Sequence, residues 1–560
     1  MSELPSFMLF PKMRSRIKKY LELFNIDEVD VLLVVPPFSL IEYPSIGLDI
    51  LKTIANSINV KTSILYANLL FAEYIGVIKY KKISQELLSM HTMLGERLFA
   101  NAADPTMPIL GIDFLKYFDS NFNDIFFSLF STEEITQIAE MANIWSDSLA
   151  EVIADKKIKV VGFTTGHQQT NATVSLINKI KERNNSIICI VGGSACDGEM
   201  AEGFLSLCPN ADFIFSGESE ICWKKFLTNF KEGVLPSQQI IKGEYLTNLD
   251  VIDSDAKSYN DYFKQINILR IIKESETSLL YKSSRACWWG EHHKCSFCGV
   301  NGWNKHYRYK SEEKVKLDLK EMLNAHPEVK HVQMVDTLMP RTYFKGLIGS
   351  LKEVLSNKTL FYEQRADLSL KQILQLKLCG IHYTQVGIEA LSTNLLNLLN
   401  KGITAEQNIN FLRHTKSVGL LVGWNLLTDI PNDRMEDWTQ FMELIPMIYH
   451  LNPPLLVRPL EIVRFSPYFE SPFKYNIQNI KPNKVYHDIF SNTANIEKIA
   501  WLFDADYDSY SKYNSSFKNQ LRVEVHKWMS LWKNGVACWF RRMRRDCSWR
   551  WPEGMRAPCP

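Results

Sequence analysis

Short apolar runs that alternate with helical patterns are the feature that most constrains the fold of the first half of this chain. The run VDVLLVVPPF (29–38) is short, rich in β-branched residues and stopped by two prolines, as expected of a fully buried strand. Similar runs stand at 60–66, 159–165, 186–193 and 211–218. This alternation predicts an α/β fold, with a doubly wound, Rossmann-like parallel sheet over residues 28–240 after an N-terminal extension at 1–27.

A second strand–helix series begins at SLLYKSSRACWW (278–289). Its later apolar runs stand at 331–336, 360–367, 383–390 and 421–428, with 455–465 as a candidate sixth. Five or six parallel strands with crossover helices predict a full or partial β/α barrel over residues 278–475. In such barrels the chemistry lies in the loops that follow the strands, so the loop after the first strand is the first place to search.

The remaining segments carry weaker patterns. Residues 241–277 are predicted to be a connector, and residues 476–560 a small, mostly helical C-terminal region rich in aromatic residues. The last twenty residues, RRMRRDCSWRWPEGMRAPCP, have arginine as their only basic residue, whereas lysine predominates upstream. We predict that this tail is disordered.

Composition narrows the classes of function. The chain is 46% hydrophobic and 22% charged with a formal charge of +2, which offers no electrostatic reason for nucleic acid or an anionic membrane as the main partner. It contains no apolar run of membrane-spanning length and begins with no secretory signal pattern. We therefore expect a cytoplasmic protein whose 11 cysteines are reduced and include metal ligands or nucleophiles.

Three cysteines converge in the loop after the first barrel strand. The segment RACWWGEHHKCSFCGVNGW (285–303) places Cys287, Cys295 and Cys298 in a C-x7-C-x2-C spacing. Three thiolates from one loop suit an iron–sulfur cluster, which ordinarily takes four cysteines. One iron would then be open to a small chelating molecule, and this would make the cluster catalytic.

Two other interpretations of this loop remain open. Structural zinc uses cysteine and histidine, and His292 and His293 lie between the cysteines. A chemically inert set of buried cysteines is the other. The position after a barrel strand and the lack of a second cysteine pair downstream favour iron–sulfur. Cys379 stands alone at a predicted helix end and is interpreted as a core residue, not a fourth ligand.

The run CWWGEHHKCSFCGVNG resembles the cluster motif of radical S-adenosylmethionine (SAM) proteins that mature ribosomally made, post-translationally modified peptides. The usual superfamily motif has three residues between its first two cysteines, and this branch has seven. Further matching segments are VGIEALSTNLLNLLNKGITAEQNI (386–409) and RFSPYFESP (464–472). The resemblance implies that the three cysteines bind three irons of a [4Fe–4S] cluster and that SAM chelates the fourth. Reductive cleavage would yield a 5′-deoxyadenosyl radical that abstracts hydrogen.

Several polar or aromatic residues are predicted SAM contacts. Phe297 resembles the aromatic residue that packs near adenine, or is a simple loop anchor. Glu389 closes an apolar strand, where an unpaired charge is costly, and resembles the acidic residue that contacts the ribose or amine. Asp336, Arg365 and Asn425 end other predicted strands and serve as ligand contacts, salt-bridge partners or caps. The predicted set is Phe297, Gly299, Asp336, Arg365, Glu389 and Asn425. No role is derived for Arg464.

The first domain lacks the dinucleotide fingerprint G-x-G-x-x-G after its first strand. Its strand ends carry glycines that allow either a close ligand or a tight turn. The pieces VLLVVPPF, PSIGL, VVGFTTGHQQ, IVGGSA and FSGESE resemble the cobalamin-binding domain that precedes the radical barrel in one branch of the superfamily. That resemblance predicts a cobalamin site of Thr164, Thr165, Gly166, His167, Gln168, Gly192, Gly193, Ser194, Gly217 and Glu218.

One motif of many cobalamin proteins is absent. No D-x-H-x-x-G supplies an axial histidine, and His167 is not in the expected frame. The radical branch commonly lacks this ligand.

The resemblance implies a cobalamin-dependent radical SAM enzyme that C-methylates an unactivated carbon of a precursor peptide. A radical enzyme that forms a ring, an epimer or another carbon–carbon bond is the alternative, and a zinc-stabilised, non-catalytic peptide-binding scaffold is a second. The neutral charge disfavours an RNA-modifying relative. Expected partners are the precursor peptide, which residues 476–560 would help to recognise, and an electron donor such as flavodoxin or ferredoxin, with no nucleic acid and no membrane.

Overall fold

The computed structural model of this chain describes residues 6–26, 28–110, 127–252, 259–300 and 306–533. Two compact units divide the chain. The first comprises Met1–Glu363, Leu378–Ile381 and Glu461–Asp506, and the second comprises Gln364–Lys377, His382–Leu460 and Tyr507–Pro560. This division differs from the predicted boundaries at 240, 277 and 475, because the chain leaves the first unit and later returns to it.

The first unit contains a six-stranded parallel sheet with the order β2-β1-β3-β4-β5-β6. Its strands are β1 Val31–Val35, β2 Thr62–Tyr66, β3 Val160–Thr164, β4 Ile188–Gly192, β5 Phe213–Ser216 and β6 Ile240–Lys242. Val31 pairs with Thr62 on one side and with Val160 on the other. Since the strand order reverses at β1 and β3, their carboxyl ends mark the topological switch point where ligands of such sheets bind.

The apolar runs of this sheet are buried as their composition predicts. All five residues of β1 are buried, and helices connect the strands in the pattern of parallel βαβ units. The α-helices before residue 240 are Ser6–Leu23, Ile46–Ser57, Ala67–Ile75, Val77–Gln85, Leu87–His91, Leu94–Ala103, Thr132–Ala154, Thr170–Arg183, Met200–Leu207 and Glu220–Lys231. Within the described part of the chain, no helix combines the length and the apolar character needed to cross a bilayer.

The predicted connector at 241–277 is not merely a linker. Its helix Asn260–Leu269 covers the edge strand β2. Gln265 accepts a hydrogen bond from Tyr66 N at 2.9 Å and donates one to Ile64 O at 2.7 Å. An edge strand presents unpaired backbone groups, and here these amide contacts satisfy them. Apolar periodicity carries no signal for such polar contacts, so the sequence pattern missed this role.

The barrel series supplies strands to both units. The first unit holds a parallel sheet with the order β11-β10-β7 and a short antiparallel ladder of β8 and β9. These strands are β7 Ser278–Tyr281, β8 Ser284–Arg285, β9 Arg308–Tyr309, β10 His331–Met334 and β11 Thr359–Phe361. The α-helices among them are Trp288–His292, Glu312–Ala325 and Leu347–Leu355.

In the second unit the strands are again parallel. β13 pairs with β14, and β15 pairs with β16. The strands between residues 363 and 459 are β12 Glu363–Gln364, β13 Tyr383–Val386, β14 Leu421–Gly423, β15 Asn425–Thr428 and β16 Leu456–Pro459. The α-helices are Leu370–Leu378, Thr393–Leu398, Ala405–Val418, Met435–Leu444, Tyr510–Tyr513 and Ser515–Lys533.

The predicted strand at 455–465 is two strands, not one. β16 ends at Pro459, and β17 Ile462–Val463 belongs to an antiparallel sheet of the first unit with the order β17-β19-β18. Proline cannot donate to a strand ladder, which explains the break. The partners are β18 Gln478–Pro482 and β19 Leu502–Asp506, accompanied by the helices Pro467–Glu470, Val485–Ile489 and Ile496–Ile499.

The prediction of a mostly helical region after residue 476 therefore missed two strands. β18 (QNIKP) and β19 (LFDAD) are short and include polar residues, so their sequence gives little apolar alternation. The predicted disordered tail at 541–560 lies outside the described residues.

Candidate functional site

A cavity of about 570 Å³ opens at the carboxyl ends of the first unit's sheet. Leu33 of β1, Thr164 of β3, Gly192 of β4 and Phe215 of β5 line it. These positions are at the switch point, where the sheet topology predicts a ligand. A volume of this size is typical of small-molecule and cofactor sites.

Six of the ten predicted cobalamin residues line this cavity. They are Thr164, Gly192, Gly193, Ser194, Gly217 and Glu218. Gly193 has a φ of +108°, and a Cβ there would lie 2.3 Å from the carbonyl oxygen of Thr165. A Cβ on Gly47, which also lines the cavity, would meet nothing within 4 Å. A larger residue at 193 would collide with the wall of the cavity, whereas a larger residue at 47 would find open space.

The other four predicted residues are not part of the cavity lining. They are Thr165, Gly166, His167 and Gln168. Gln168 is buried, and its side chain accepts a hydrogen bond from Gly95 N at 2.8 Å. Thr165 N donates to Gly192 O at 2.7 Å. The contact of this loop with the ligand stays a prediction. The observed bonds of Thr165 and Gln168 tie β3 to its neighbours.

The same cavity reaches the residues that flank the three cysteines. Ala286 precedes Cys287, and Gly299 and Val300 follow Cys298, and all three flanking residues line the cavity. One cavity in one compact unit therefore touches both the predicted cobalamin wall and the predicted cluster site.

The segment 287–298, here called the cluster loop, consists of a short helix and a turn. Cys287 precedes the helix Trp288–His292, and Cys298 N donates to Cys295 O at 3.1 Å. All three cysteines are partly exposed, as is Phe297 between the last two. The turn keeps two thiols of the C-x2-C pair on one short stretch of backbone. The NG of the quoted motif (301–302) lies outside the described residues.

The side chains of the loop distinguish a cluster from a zinc site. In the described ranges no three histidine, cysteine or acidic side chains converge tightly enough to hold one metal ion. A [4Fe–4S] cluster differs from such a site, because each cysteine binds a separate iron. His293 stacks on Trp289 with 4.4 Å between the ring centroids, and the side chain of His292 is 72% exposed. The donor set that fits a cluster is therefore the three thiols.

The segment 464–469, here called the brace segment, contacts the backbone and side chains of the cluster loop. Tyr468 N donates to Ser296 O at 3.0 Å, and Lys294 Nζ donates to Phe465 O at 2.5 Å. A Cβ on Gly299 would lie 2.5 Å from the carbonyl oxygen of Arg464. The backbone of the loop is thus fixed at both sides of its C-x2-C turn.

Arg464 holds the brace segment in place. Its guanidinium, 1% exposed, donates to Ala500 O at 2.7 Å and to Glu497 O, and it packs against the rings of Phe469 and Phe503. These contacts supply the role that the sequence could not assign to Arg464. The partners lie 33 to 36 residues away along the chain, so no local pattern reveals them.

An ion-pair network joins the sheet to the start of the cluster loop. Arg285 binds Glu218 at 2.7 Å and also Glu220, and Arg308 forms two hydrogen bonds with Glu218. Burial alone would raise the pKa of Glu218, but the hydrogen bonds and charges of Arg308 and Arg285 lower it to about 2. Glu218 lines the cavity, yet its carboxylate is engaged by the protein.

Sequence reasoning missed five charged residues of this cavity. They are Asp197, Glu220, Lys282, Arg285 and Arg308. Asp197 accepts a hydrogen bond from Gly217 N at 3.0 Å, and burial raises its pKa to about 6. The signal that found Glu389, a charge at the end of an apolar strand, also exists for Lys282 after SLLY.

Asp336 is buried beside the segment that leads to the cluster loop. It accepts hydrogen bonds from Ser283 Oγ at 2.8 Å and from Ser284 N. Burial raises its pKa to about 6. Its contact with SAM stays a prediction, and its observed bonds fix residues shortly before Cys287.

Three predicted SAM residues, Arg365, Glu389 and Asn425, belong to the second unit. Glu389 has a φ of 62°, and its carboxylate lies 3.2 Å from Lys401 Nζ. Arg365 donates to Lys401 O at 2.7 Å. Asn425 begins β15. Lys401, which the sequence did not single out, therefore connects Glu389 and Arg365. A positive φ on a glutamate is a strained conformation of the kind that clusters at functional sites.

Comparison with known proteins agrees with this arrangement. Residues 281–445 match the family model described as Radical SAM superfamily. The hopanoid C-3 methylase of Methylococcus capsulatus is 27% identical over 175 residues, which are 30% of this chain and 33% of that protein. The chain thus spans about a third of the length of this curated relative.

Two solved enzymes share the fold over most of the chain. The cobalamin-dependent S-adenosylmethionine radical enzyme OxsB, with aqua-cobalamin and S-adenosylmethionine bound, is 14% identical with a TM-score of 0.58, covering 93% of this chain and 76% of that one. The radical S-adenosylmethionine methyltransferase TsrM from Kitasatospora setae, with tryptophan substrate and a SAM analog bound, is 12% identical with a TM-score of 0.55, covering 89% and 88%.

The cofactors predicted from the sequence are those that these solved enzymes contain. OxsB holds cobalamin and SAM, and another TsrM structure holds cobalamin and a [4Fe–4S] cluster. The predicted fold class is confirmed: the chain is α/β, with a Rossmann-like domain of the cobalamin-binding type, a β/α series of the radical SAM type and a C-terminal region that contains helices.

Proposed function

We propose that this chain is a cobalamin-dependent radical SAM enzyme that methylates an unactivated carbon of a ribosomally made precursor peptide. The observation that carries the proposal is the single cavity that touches Gly192 and Phe215 at the strand ends and Ala286 and Gly299 beside the cluster cysteines. Two reactive groups that must act on one carbon have to share one enclosed space.

In this proposal the chain holds each cofactor with a distinct set of residues. Cys287, Cys295 and Cys298 bind three irons of the cluster, and the glycine-lined wall accepts the corrin. The SAM set consists of Phe297, Gly299, Asp336, Arg365, Glu389 and Asn425. When bound, the cluster with SAM would supply hydrogen abstraction, and methylcobalamin would supply the methyl group. A radical is needed because an aliphatic C–H has no pKa that a general base can use.

The residues of the cavity position these groups and exclude water. Leu33, Phe215 and Trp223 give the wall apolar side chains, and Gly192 lets a large ligand approach the backbone. The ion pairs of Arg285 with Glu218 and Glu220 fix the start of the cluster loop relative to the sheet within the first unit. Such rigid placement is what radical chemistry requires of the protein.

The peptide substrate is supported by the loop motif. The run CWWGEHHKCSFCG has the wide cysteine spacing of the peptide-maturing branch. The relatives named above differ in substrate, a hopanoid in one name and tryptophan in another, so methylation by proteins similar to this chain is not tied to one class of substrate. The proposal also includes a low-potential electron donor such as flavodoxin or ferredoxin, and it includes neither nucleic acid nor a membrane as a partner.

The product mass tests the proposal. The full chain is purified without oxygen, reconstituted with iron, sulfide and cobalamin, and incubated with SAM, a reductant and a precursor peptide encoded beside its gene. A gain of one methylene in the peptide, together with 5′-deoxyadenosine, is expected. An unchanged or lowered peptide mass with 5′-deoxyadenosine would favour ring formation or epimerisation instead. Stoichiometric zinc without iron would favour the non-catalytic scaffold.

A further inference from the structure

Lys282 is a charged residue of the main cavity that the proposed function has not used. It follows the buried strand β7 and lines the cavity with Arg285, Gly217 and Trp223. The residue is only partly exposed. Within the described part of the chain, its ammonium makes no hydrogen bond or ion pair, unlike the two arginines beside it.

Three carboxylates lie near Lys282, and each is bonded to another residue. Burial lowers the pKa of its ammonium and the charge of Arg285 lowers it further, whereas the charges of Asp336, Glu218 and Glu220 raise it. These three carboxylates are therefore the acidic groups that face the lysine.

Each of the three carboxylates is bonded to another group. Glu218 binds Arg285 at 2.7 Å and also binds Arg308. Glu220 binds Arg285, and Asp336 accepts hydrogen bonds from the two serines that follow the lysine. The nearby carboxylates are thus bonded to other donors, and Lys282 lines the cavity without a bonded counter-charge of its own.

An ammonium removed from water without a counter-charge is costly, and the cost disappears when a ligand supplies the charge. A lysine is a compact point charge that suits a single oxygen anion, whereas the forked arginines nearby suit the carboxylates that they bind. An anionic oxygen of the bound molecule is the partner that completes this site.

We propose that Lys282 binds an anionic oxygen group, a phosphodiester or a carboxylate, on a molecule held in the main cavity. The inference rests on the proposed function for the nature of that molecule. Cobalamin offers the phosphodiester of its nucleotide tail, and SAM offers its carboxylate. Both sources present the same chemistry to the ammonium, and paired ligands distinguish them.

Binding titrations with ligand pairs that differ in the anion test the proposal. The full chain and its Lys282→Met variant are titrated with cobalamin and with cobinamide, which lacks the nucleotide tail, by visible absorption. They are also titrated with SAM and with decarboxylated SAM by calorimetry after cluster reconstitution. Loss of the lysine should weaken the ligand that carries the recognised anion by about tenfold or more and leave its truncated analogue unchanged.

The two sources give opposite results. Weaker binding of cobalamin with unchanged cobinamide assigns the phosphodiester, and weaker binding of SAM with unchanged decarboxylated SAM assigns the carboxylate. Lys282→Arg, which keeps the charge, should retain most of the affinity. Lys224→Met, on an exposed position of the helix Glu220–Lys231 that does not line this cavity, is the matched control.

Unchanged affinity of Lys282→Met for all four ligands would overturn the inference. Circular dichroism and the thermal midpoint establish that the variant folds, and Lys282→Gln serves if the methionine variant does not. Failure of the unaltered chain to bind cobalamin at all is a different result, which would overturn the proposed function itself.

Discussion

The cavity wall and the cluster loop are stabilised in opposite ways. In the wall, backbone bonds between neighbouring strands hold the strand ends, as where Thr165 N donates to Gly192 O. The cluster loop is held in addition by hydrogen bonds with the brace segment, which stands about 170 residues later in the chain.

The cavity wall is thus a site whose shape is set by one sheet, whereas the cluster loop is a site held by a segment far along the chain. The wall fits its ligand through glycines and apolar side chains whose positions the sheet fixes. The loop presents three thiols whose placement requires contacts that form only when remote segments meet. Substitutions in the wall should therefore alter stability and cavity shape, whereas substitutions in the brace segment should alter retention of the cluster.

The largest effect is expected for Cys298→Ala. Removal of one thiolate should abolish the iron–sulfur absorption and reduce 5′-deoxyadenosine to the background of the assay. Iron and sulfide content and the nucleoside product measure it. Cys379→Ala is the control, because Cys379 is a buried cysteine outside the cluster loop. Equal iron content in both variants would show that Cys298 does not bind the cluster.

Gly193→Ala should cause the largest loss of stability in the wall. The added Cβ would lie 2.3 Å from Thr165 O at a φ of +108°, and such strain costs about 3 kcal/mol. Gly47→Ala provides the contrast, since its Cβ meets nothing within 4 Å. Denaturant unfolding of both variants measures the difference. Identical midpoints would show that the wall tolerates backbone displacement.

Arg464→Ala should release the cluster loop. Loss of the guanidinium leaves Ala500 O and Glu497 O without their donor, at about 1–3 kcal/mol each if they stay buried. We expect faster loss of iron during anaerobic dialysis at a temperature where the variant remains folded. Glu199→Gln is the control, because the Glu199 side chain is 69% exposed and its ion pair contributes less than about 1 kcal/mol. Iron retention equal to that of the unaltered protein would mean that the brace segment is not needed.

The smallest effect concerns pH. Burial raises the pKa of Asp336 to about 6, so its ionisation is less favourable in the folded state than in the unfolded one. Stability from this group is fully present below about pH 4 and is lost as the pH rises through 6. In Asp336→Asn the amide oxygen accepts from Ser284 N and the amide N–H donates to Ser283 Oγ. The variant should be more stable than the unaltered chain by roughly 3 kcal/mol at pH 7, with little difference near pH 4. Parallel unfolding curves at the two pH values measure it, and a constant difference would contradict the assignment.

The sequence predicted the parts of the molecule whose signals are local. The buried strand β1 was predicted from an apolar run, and the cluster loop was predicted from the spacing of three cysteines and a resemblance. The glycines at 192, 193 and 217 were predicted because parallel strands end at one edge of a sheet.

What the sequence could not give depends on distant pairing. The contacts of Gln265 with β2, the two-strand nature of 455–465 and the support of Arg464 all join residues far apart along the chain. Lys282, by contrast, carries a local signal that was missed, a charge directly after the apolar run SLLY. For the loop at 165–168, ligand contact was predicted from the resemblance and stays a prediction, because polarity alone does not reveal whether the partner is protein or cofactor.

The return of Glu461–Asp506 to the first unit has a consequence for how the protein is made. On the ribosome, the thiols of the cluster loop emerge roughly 10 to 35 s before the brace segment at typical rates of synthesis. During that interval the nascent loop has its ligands but not its support. We therefore expect stable cluster assembly only after residues 464–469 have been synthesised. A chain terminated before residue 464 would contain the three thiols but not the brace segment.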